Sequence, residues 1–249
     1  MKVIGLSGGI GSGKSTVSYY LSTLDIPVFS ADAAFRAAVE KGSPCLPDII
    51  ALLGTDCLLE DGGLNRALAS EKVFRDRNLL QKFEMIIQKQ ARAEEQHFLA
   101  QHRACGTKLV VLDVPLLIEC DWREDVDSIW LVKTPKELRI RRTMQRDHVS
   151  EEEMTFRINS QRPSEEVEQY ADVIIDNSGS FEHTKVQIQE NLKKIINILI
   201  EGGKRNDKKE IQSPETAGKS CDGCLIVYEC GAGCVGSVVS GSEIAVVSD

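Results

Sequence analysis

Several features that would assign this chain to a broad class are missing. It has no uninterrupted run of about 18 apolar residues, the length that a helix needs to cross a bilayer. Positive charge is not in excess: 30 lysine and arginine residues face 38 aspartate and glutamate residues, a formal net charge of −8. No basic stripe is available to neutralise a nucleic-acid backbone. The first residues read as a buried strand, with no pattern of a secretory signal. We therefore expect a cytoplasmic protein that binds neither membranes nor nucleic acid.

Length and composition leave room for a folded enzyme. The chain has 249 residues, 42% of them hydrophobic, which suits one α/β domain with a modest second lobe or a tail. Of its eight cysteines, four are scattered through the first half: Cys45, Cys57, Cys105 and Cys120. Scattered cysteines in a cytosolic chain are usually reduced, half-buried small side chains. We expect no disulfide framework.

The start of the chain carries a glycine-rich segment between a strand and a helix. The apolar run Val3–Ser7 leads into it, and a helical pattern opens at Lys14. The spacing from Gly8 to Lys14 and Ser15 fits a phosphate-binding P-loop. Its glycines let successive N–H groups point at phosphates, and the helix N-terminus adds its positive end. Lys14 can reach the terminal phosphates and the Ser15 hydroxyl suits Mg²⁺. The segment predicts binding of a nucleoside triphosphate.

Apolar runs alternate with helical periodicity along the chain. We predict five strands at Val3–Ser7, Ile26–Ser30, Lys108–Val114, Ser128–Thr134 and Asp172–Asp176. This alternation predicts an α/β fold with a doubly wound parallel sheet. The stretch 33–107 is too long for one crossover helix, so we predict a helical lobe over the open edge of the active site.

Asp32 follows the second predicted strand, at the edge of the sheet where ligands bind. A carboxylate there can accept a proton from an attacking hydroxyl, as kinases require. Arg36, one helical turn on, lies on the same side and can hold an anionic group of the acceptor. The alternative is that Asp32 only caps the following helix. The sequence leaves both interpretations open.

Two further features suit phosphoryl transfer. Asp113 ends the apolar run Leu109–Leu112, and an acid there is the usual partner of the P-loop hydroxyl in organising Mg²⁺. Four arginines crowd one predicted helix: Arg139, Arg141, Arg142 and Arg146. Guanidinium groups stabilise the spread charge of a transferring phosphoryl group. One helix cannot aim all four at one point, so we expect at least two to face solvent.

The character of the sequence changes after Glu201. Residues 202–209 are polar and contain glycine, which is typical of a linker. A four-cysteine cluster follows, formed by Cys221, Cys224, Cys230 and Cys234. Thiolates at this spacing can bind zinc, but the halves are irregularly spaced. We therefore favour a disordered tail over 202–249 that holds no zinc and is dispensable for catalysis.

Taken in order, several motifs together resemble the dephospho-CoA kinase family. They are Gly5–Thr16, Ala31-Asp32 with Arg36, Leu64–Arg66, Asp113–Glu119, Arg142–Asp147, Arg157 with Gln161, and Ala171–Asn177 with Gly179. The resemblance covers about residues 1 to 200. In four places the chain departs from the family's usual pattern, at Ser30, Glu84, Met85 and Val167.

The resemblance implies a P-loop kinase fold with five strands in residues 1–201, a CoA-accommodating lobe at about 33–107 and a lid at about 139–165. It implies transfer of the ATP γ-phosphate to the ribose 3′-hydroxyl of dephospho-CoA, with Mg²⁺. The implied site residues are the following: Gly11, Ser12, Gly13, Lys14, Ser15 and Thr16 for ATP; Asp32 as base, with Lys14 and Arg142 also catalytic; Arg36 and Arg66 for the acceptor; and Ser15 and Asp113 for the metal. Another small-molecule P-loop kinase and a nucleotide-dependent switch are the alternatives.

Overall fold

In this computed structural model, we describe residues 1–115, 117–118 and 122–206, with backbone only from residue 200 onward. All of them belong to one compact unit, Met1–Ile211. No helix in these ranges is long and apolar enough to cross a membrane. The predicted zinc candidates Cys221, Cys224, Cys230 and Cys234 lie outside the described residues.

All five predicted strands are present in one parallel sheet. They are β1 (Lys2–Ser7), β2 (Val28–Ser30), β3 (Leu109–Asp113), β4 (Ser128–Lys133) and β5 (Val173–Asp176). Their order across the sheet is β2-β3-β1-β4-β5. The second strand begins at Val28 rather than at Ile26, because Pro27 has no N–H to add to the ladder. The fold class predicted from the alternation of elements is confirmed.

Helices connect the strands and cover both faces of the sheet. They are α1 (Lys14–Ser22), α2 (Ala31–Ala38), α3 (Leu46–Leu53), α4 (Arg66–Arg75), α5 (Arg77–Ala104), α6 (Lys136–Asp147), α7 (Glu151–Asn159), α8 (Ser164–Glu168) and α9 (Phe181–Asn206). Two short 3-10 helices lie at Thr55–Cys57 and Arg123–Asp125. On one face the sheet packs against Leu21 of α1 and Ile188 of α9. On the other it packs against Ala34 of α2 and Leu99 of α5.

Helix α5 connects the sheet to a separate helical lobe. Its 28 residues span about 42 Å. Its second half packs on the sheet, whereas its first half shares a hydrophobic cluster with α3 and α4. Ile49, Leu53 and Val73 are buried in that cluster. The predicted stretch 33–107 therefore contains helices with a core of their own, beside the carboxyl end of β2.

The last helix passes the domain boundary expected from composition. We predicted that the domain ends at residue 201, but α9 continues through Gly202 and Gly203 to Asn206. Glycine inside a helix costs about 1 kcal/mol relative to alanine, too little to stop a helix already formed over twenty residues. The boundary itself stays a prediction.

Candidate active site

The P-loop connects β1 to α1 and requires glycine at two positions. Gly11 has a φ of +76° and Gly13 a φ of +87°, both in the left-handed region that side chains rarely adopt. A Cβ on Gly13 would overlap the Asn177 side chain, and one on Gly11 would lie 2.8 Å from the Arg139 carbonyl oxygen. These glycines let the loop curl tightly against its neighbours.

Side chains from distant parts of the chain hold the carbonyl groups of this loop. The Ser12 carbonyl accepts hydrogen bonds from Thr134 Oγ1 and from Asn177 Nδ2, each at 2.9 Å. The Ile10 carbonyl accepts one from Arg139 Nε at 2.7 Å. Within the described residues no acceptor pairs with the amides of Gly13, Lys14 or Ser15, which begin α1. The loop therefore presents free N–H groups and a helix N-terminus, a ready site for phosphate.

Lys14 and Asp113 form an ion pair at the mouth of the loop. Their side chains are only 13% and 8% exposed. Asp113 is paired in register with Leu6 of β1 and Ser30 of β2, at the carboxyl edge of the sheet. A lysine at this position can pair with a phosphate group bound by the loop.

Asp32 is not the cap of its helix. The N-cap of α2 is Ser30, whose Oγ accepts a hydrogen bond from the Ala33 N–H at 3.3 Å. Asp32 lies in the first helical turn with an exposed side chain, and no residue in the described ranges pairs with its carboxylate. The capping alternative is therefore unsupported. Ser30, one of the departures from the family pattern, is the residue that caps the helix.

The two predicted acceptor-binding arginines are exposed, and their bonds are local. Arg36 Nε donates to the Asp32 carbonyl at 3.2 Å, on the same helix. Arg66, at the start of α4, lies 3.6 Å from Glu40 with 57% of its side chain exposed. No hydrogen bond or ion pair joins Asp32, Arg36 or Arg66 to the P-loop in the part of the chain that we describe.

The four arginines of α6 divide into two pairs. Arg139 is buried, and burial lowers the pKa of its guanidinium below the usual value. Arg142 is half-buried beside Gly13, and its Nη1 donates to the Asn177 carbonyl at 3.0 Å. Arg141 and Arg146 are exposed, and Arg146 binds Asp147 at 2.6 and 2.8 Å. Two of the four face solvent, as expected.

Sequence reasoning missed one anchor of the loop and the residue that holds another anchor in place. Thr134, directly after β4, binds Ser12, and Thr184 on α9 donates to Asn177 Oδ1 at 2.9 Å. The position of Thr134 at the carboxyl end of a central strand is a signal that could have found it. Nothing local to Thr184 distinguishes it from any other helical threonine. No group of three or more His, Cys, Asp or Glu side chains in the described ranges could hold a metal ion by itself.

Comparison with known proteins gives a consistent result. The sequence model of the family described as "Dephospho-CoA kinase" matches residues 2–183. A dephospho-CoA kinase of Listeria innocua is 38% identical over 196 residues, which cover 79% of this chain and 98% of the relative. One of Bacillus anthracis is 41% identical over 192 residues, covering 77% and 96%.

Solved structures show the same similarity in three dimensions. A crystal structure of a Thermus thermophilus protein superposes with a TM-score of 0.65 at 31% identity, covering 78% of this chain and 97% of the other. The dephospho-CoA kinase of Campylobacter jejuni superposes with a TM-score of 0.61 at 25% identity, covering 78% and 98%.

Proposed function

This chain belongs to the dephospho-CoA kinase family, and from that premise we propose which of its residues carry the reaction. The reaction transfers the γ-phosphoryl group of ATP to the ribose 3′-hydroxyl of dephospho-CoA, the last step of coenzyme A synthesis. One observation supports the assignment most. Ser30 caps α2, which leaves the Asp32 carboxylate exposed and unpaired within the described residues, while the P-loop presents its free amides.

ATP binds to residues 11–16. The phosphates take hydrogen bonds from the amides of Gly13, Lys14 and Ser15, and the positive end of α1 stabilises their charge. Ser12 keeps its carbonyl turned away through its bonds to Thr134 and Asn177. Lys14 exchanges its ion pair with Asp113 for the terminal phosphates and stabilises the transition state.

Mg²⁺ suits the oxygen atoms at this edge. The Ser15 hydroxyl and the Asp113 carboxylate are hard oxygen donors of the kind that Mg²⁺ prefers. Asp113 is nearly buried with Lys14 as its partner, so its carboxylate becomes available to a cation when Lys14 moves to the phosphates. When bound, Mg²⁺ neutralises charge on the phosphates.

Asp32 acts as the general base. Its carboxylate takes the proton of the ribose 3′-hydroxyl as that oxygen forms its bond to the γ-phosphorus, and the bond to the ADP oxygen breaks. Arg142, beside Gly13, stabilises the charge on the transferring phosphoryl group. Arg36 and Arg66 bind the acceptor, and the exposure of both side chains leaves them free to do so.

The proposal also covers the organisation of the chain. Residues 1–201 form the kinase domain, and the helices within 33–107 form the substrate lobe. Arg139 and Thr143 of α6 are buried against the P-loop, so the moving part of the lid (139–165) lies beyond them, in α7 and the residues after it. We place the protein in the cytoplasm, where both substrates occur, and assign it no metal at Cys221, Cys224, Cys230 or Cys234.

A coupled assay of ADP release with four acceptors tests this function. Dephospho-CoA, AMP, uridine and shikimate are offered side by side with Mg·ATP, and the Lys14→Ala variant shows which release belongs to this protein. We expect at least a hundredfold preference in kcat/KM for dephospho-CoA. A higher kcat/KM with AMP, uridine or shikimate would identify a different P-loop kinase. Phosphorylation of none of the four would favour a nucleotide-dependent switch.

A further inference from the structure

Gln161, in the segment that follows α7, reaches back to the P-loop. Its side-chain oxygen Oε1 accepts a hydrogen bond from the Ile10 N–H at 2.9 Å and one from Arg139 Nη2 at 2.8 Å. The side chain is half-buried. Within the described residues, it is the only member of the segment 150–165 that bonds to the P-loop.

Gln161 and Arg139 together bind both polar groups of the Ile10 backbone. Gln161 accepts from its N–H, and Arg139 Nε donates to its carbonyl at 2.7 Å. Because Gly11 follows directly and turns with a positive φ, the orientation of Ile10 sets the direction in which residues 11–15 present their amides. A small rotation here would misdirect the N–H groups that contact phosphate.

Arg139 depends on the same glutamine. It is a buried guanidinium, and no carboxylate in the described ranges forms an ion pair with it. On the loop side it donates to two neutral oxygens, the Ile10 carbonyl and Gln161 Oε1. Removal of either oxygen leaves a buried donor without a partner, which is costly. Ile10, Arg139 and Gln161 therefore form one hydrogen-bonded unit, in which Gln161 is the only member from the segment 150–165.

We propose that Gln161 is a positioning residue for nucleotide binding, which fixes the P-loop through Ile10 and so ties the segment 150–165 to the phosphate site. It touches neither reacting group and acts through the backbone of Ile10. The inference rests on residues 11–16 being the ATP site.

Two substitutions of nearly equal size separate positioning from packing. Gln161→Met keeps the length of the side chain and removes the acceptor. Gln161→Glu keeps an oxygen for both donors, and its charge is neutralised by Arg139. We expect Gln161→Met to weaken the binding of Mg·ATP about tenfold, since it leaves two donors unpaired. Gln161→Glu should stay within about threefold of the wild type.

The KM for dephospho-CoA should change less than threefold in both variants. Gln161→Asn keeps the amide but is too short to reach Ile10, so it should weaken the binding of Mg·ATP as Gln161→Met does. It replaces Gln161→Met if the methionine variant folds poorly. A packing role predicts the reverse order, with methionine tolerated and glutamate harmful, and that order would overturn the proposal. So would unchanged ATP affinity in both Gln161→Met and Gln161→Asn. If the wild type itself does not bind Mg·ATP, the proposed function has failed.

Discussion

The two halves of the proposed active site are built differently. The proposed nucleotide side is the P-loop with its anchors, which are Thr134, Arg139, Gln161 and Asn177. Those anchors are buried or half-buried, and each is hydrogen-bonded to the loop backbone. The proposed acceptor side consists of Asp32, Arg36 and Arg66, which are all exposed and make no bond to the loop in the part of the chain described.

The difference follows from what each side uses to bind. The nucleotide side uses backbone amides, which cannot turn to meet a ligand once the loop is folded, so their direction must be fixed beforehand. The acceptor side uses long charged side chains, which find their geometry when the substrate arrives. Preorganisation on one side and adaptability on the other predict that substitutions will affect ATP binding and acceptor binding separately.

The largest expected effect comes from Asp32, the proposed base on the acceptor side. Asp32→Asn keeps the size of the side chain but cannot accept the hydroxyl proton, so turnover with dephospho-CoA should fall by about 10²- to 10⁴-fold. Stability should change by well under about 1 kcal/mol, because Ser30 and not Asp32 caps the helix. Steady-state kinetics and thermal unfolding measure the two quantities. Asp48→Asn, at the exposed start of α3, is the control.

Lys14→Ala should act on the nucleotide side. It removes a charge that accompanies the phosphates into the transition state, at a cost of about 3–4 kcal/mol, or roughly 10²- to 10³-fold in kcat/KM for ATP. Lys193→Ala removes an exposed lysine of α9 and should leave the rate unchanged. A Lys14→Ala enzyme with nearly wild-type kinetics would show that the phosphate site lies elsewhere.

Stability should respond to pH through Glu95, a buried residue of α5. Its side chain is fully buried, and burial raises the pKa of Glu95 from 4.5 to about 7, although Arg92 at 3.0 Å opposes the shift. Because the folded state holds the proton of Glu95 more tightly than the unfolded state does, protonation of Glu95 stabilises the fold. This contribution is complete below pH 4.5 and is lost as the pH rises through 7.

Glu95→Gln should abolish that dependence. Its free energy of unfolding relative to the wild type should rise by on the order of 2–3 kcal/mol between pH 4.5 and pH 8. Urea unfolding at pH 4.5, 6 and 8 gives this difference, with Glu94→Gln on the same helix as the control. A difference that stays constant between pH 4.5 and pH 8 would refute the raised pKa of Glu95. The affinity for Mg·ATP should be the same in Glu95→Gln and in the wild type.

The smallest effect is expected at Arg36. Arg36→Ala should raise the KM for dephospho-CoA about tenfold, the usual value of one hydrogen bond to a charged group, without weakening ATP binding. Arg141→Ala, an exposed arginine on α6, is the matched control and should leave both constants unchanged. Loss of ATP affinity in Arg36→Ala would mean that the two sides are not separate.

The sequence predicted the parts of this molecule that are encoded locally. The five strands and the P-loop are short segments with a distinctive local pattern, so their existence could be read directly and the bounds of the strands to within two residues. The anchors of the loop could not be derived in this way. Thr134 and Asn177 meet Ser12 across 122 and 165 residues of chain, and no periodicity encodes such a contact. That Ser30 and not Asp32 caps α2 also needed the structure, since serine and aspartate both cap helices well.

Equilibrium binding of Mg·ATP to Asp32→Asn, in the absence of acceptor, tests the separation of the two sides most directly. If the nucleotide side is complete in itself, the dissociation constant should lie within about twofold of the wild-type value, in the same preparation that has lost at least a hundredfold in turnover. Weakened ATP binding would show that Asp32 belongs to the phosphate site. Undiminished turnover would show that the proton goes to another group, and either result would contradict this account.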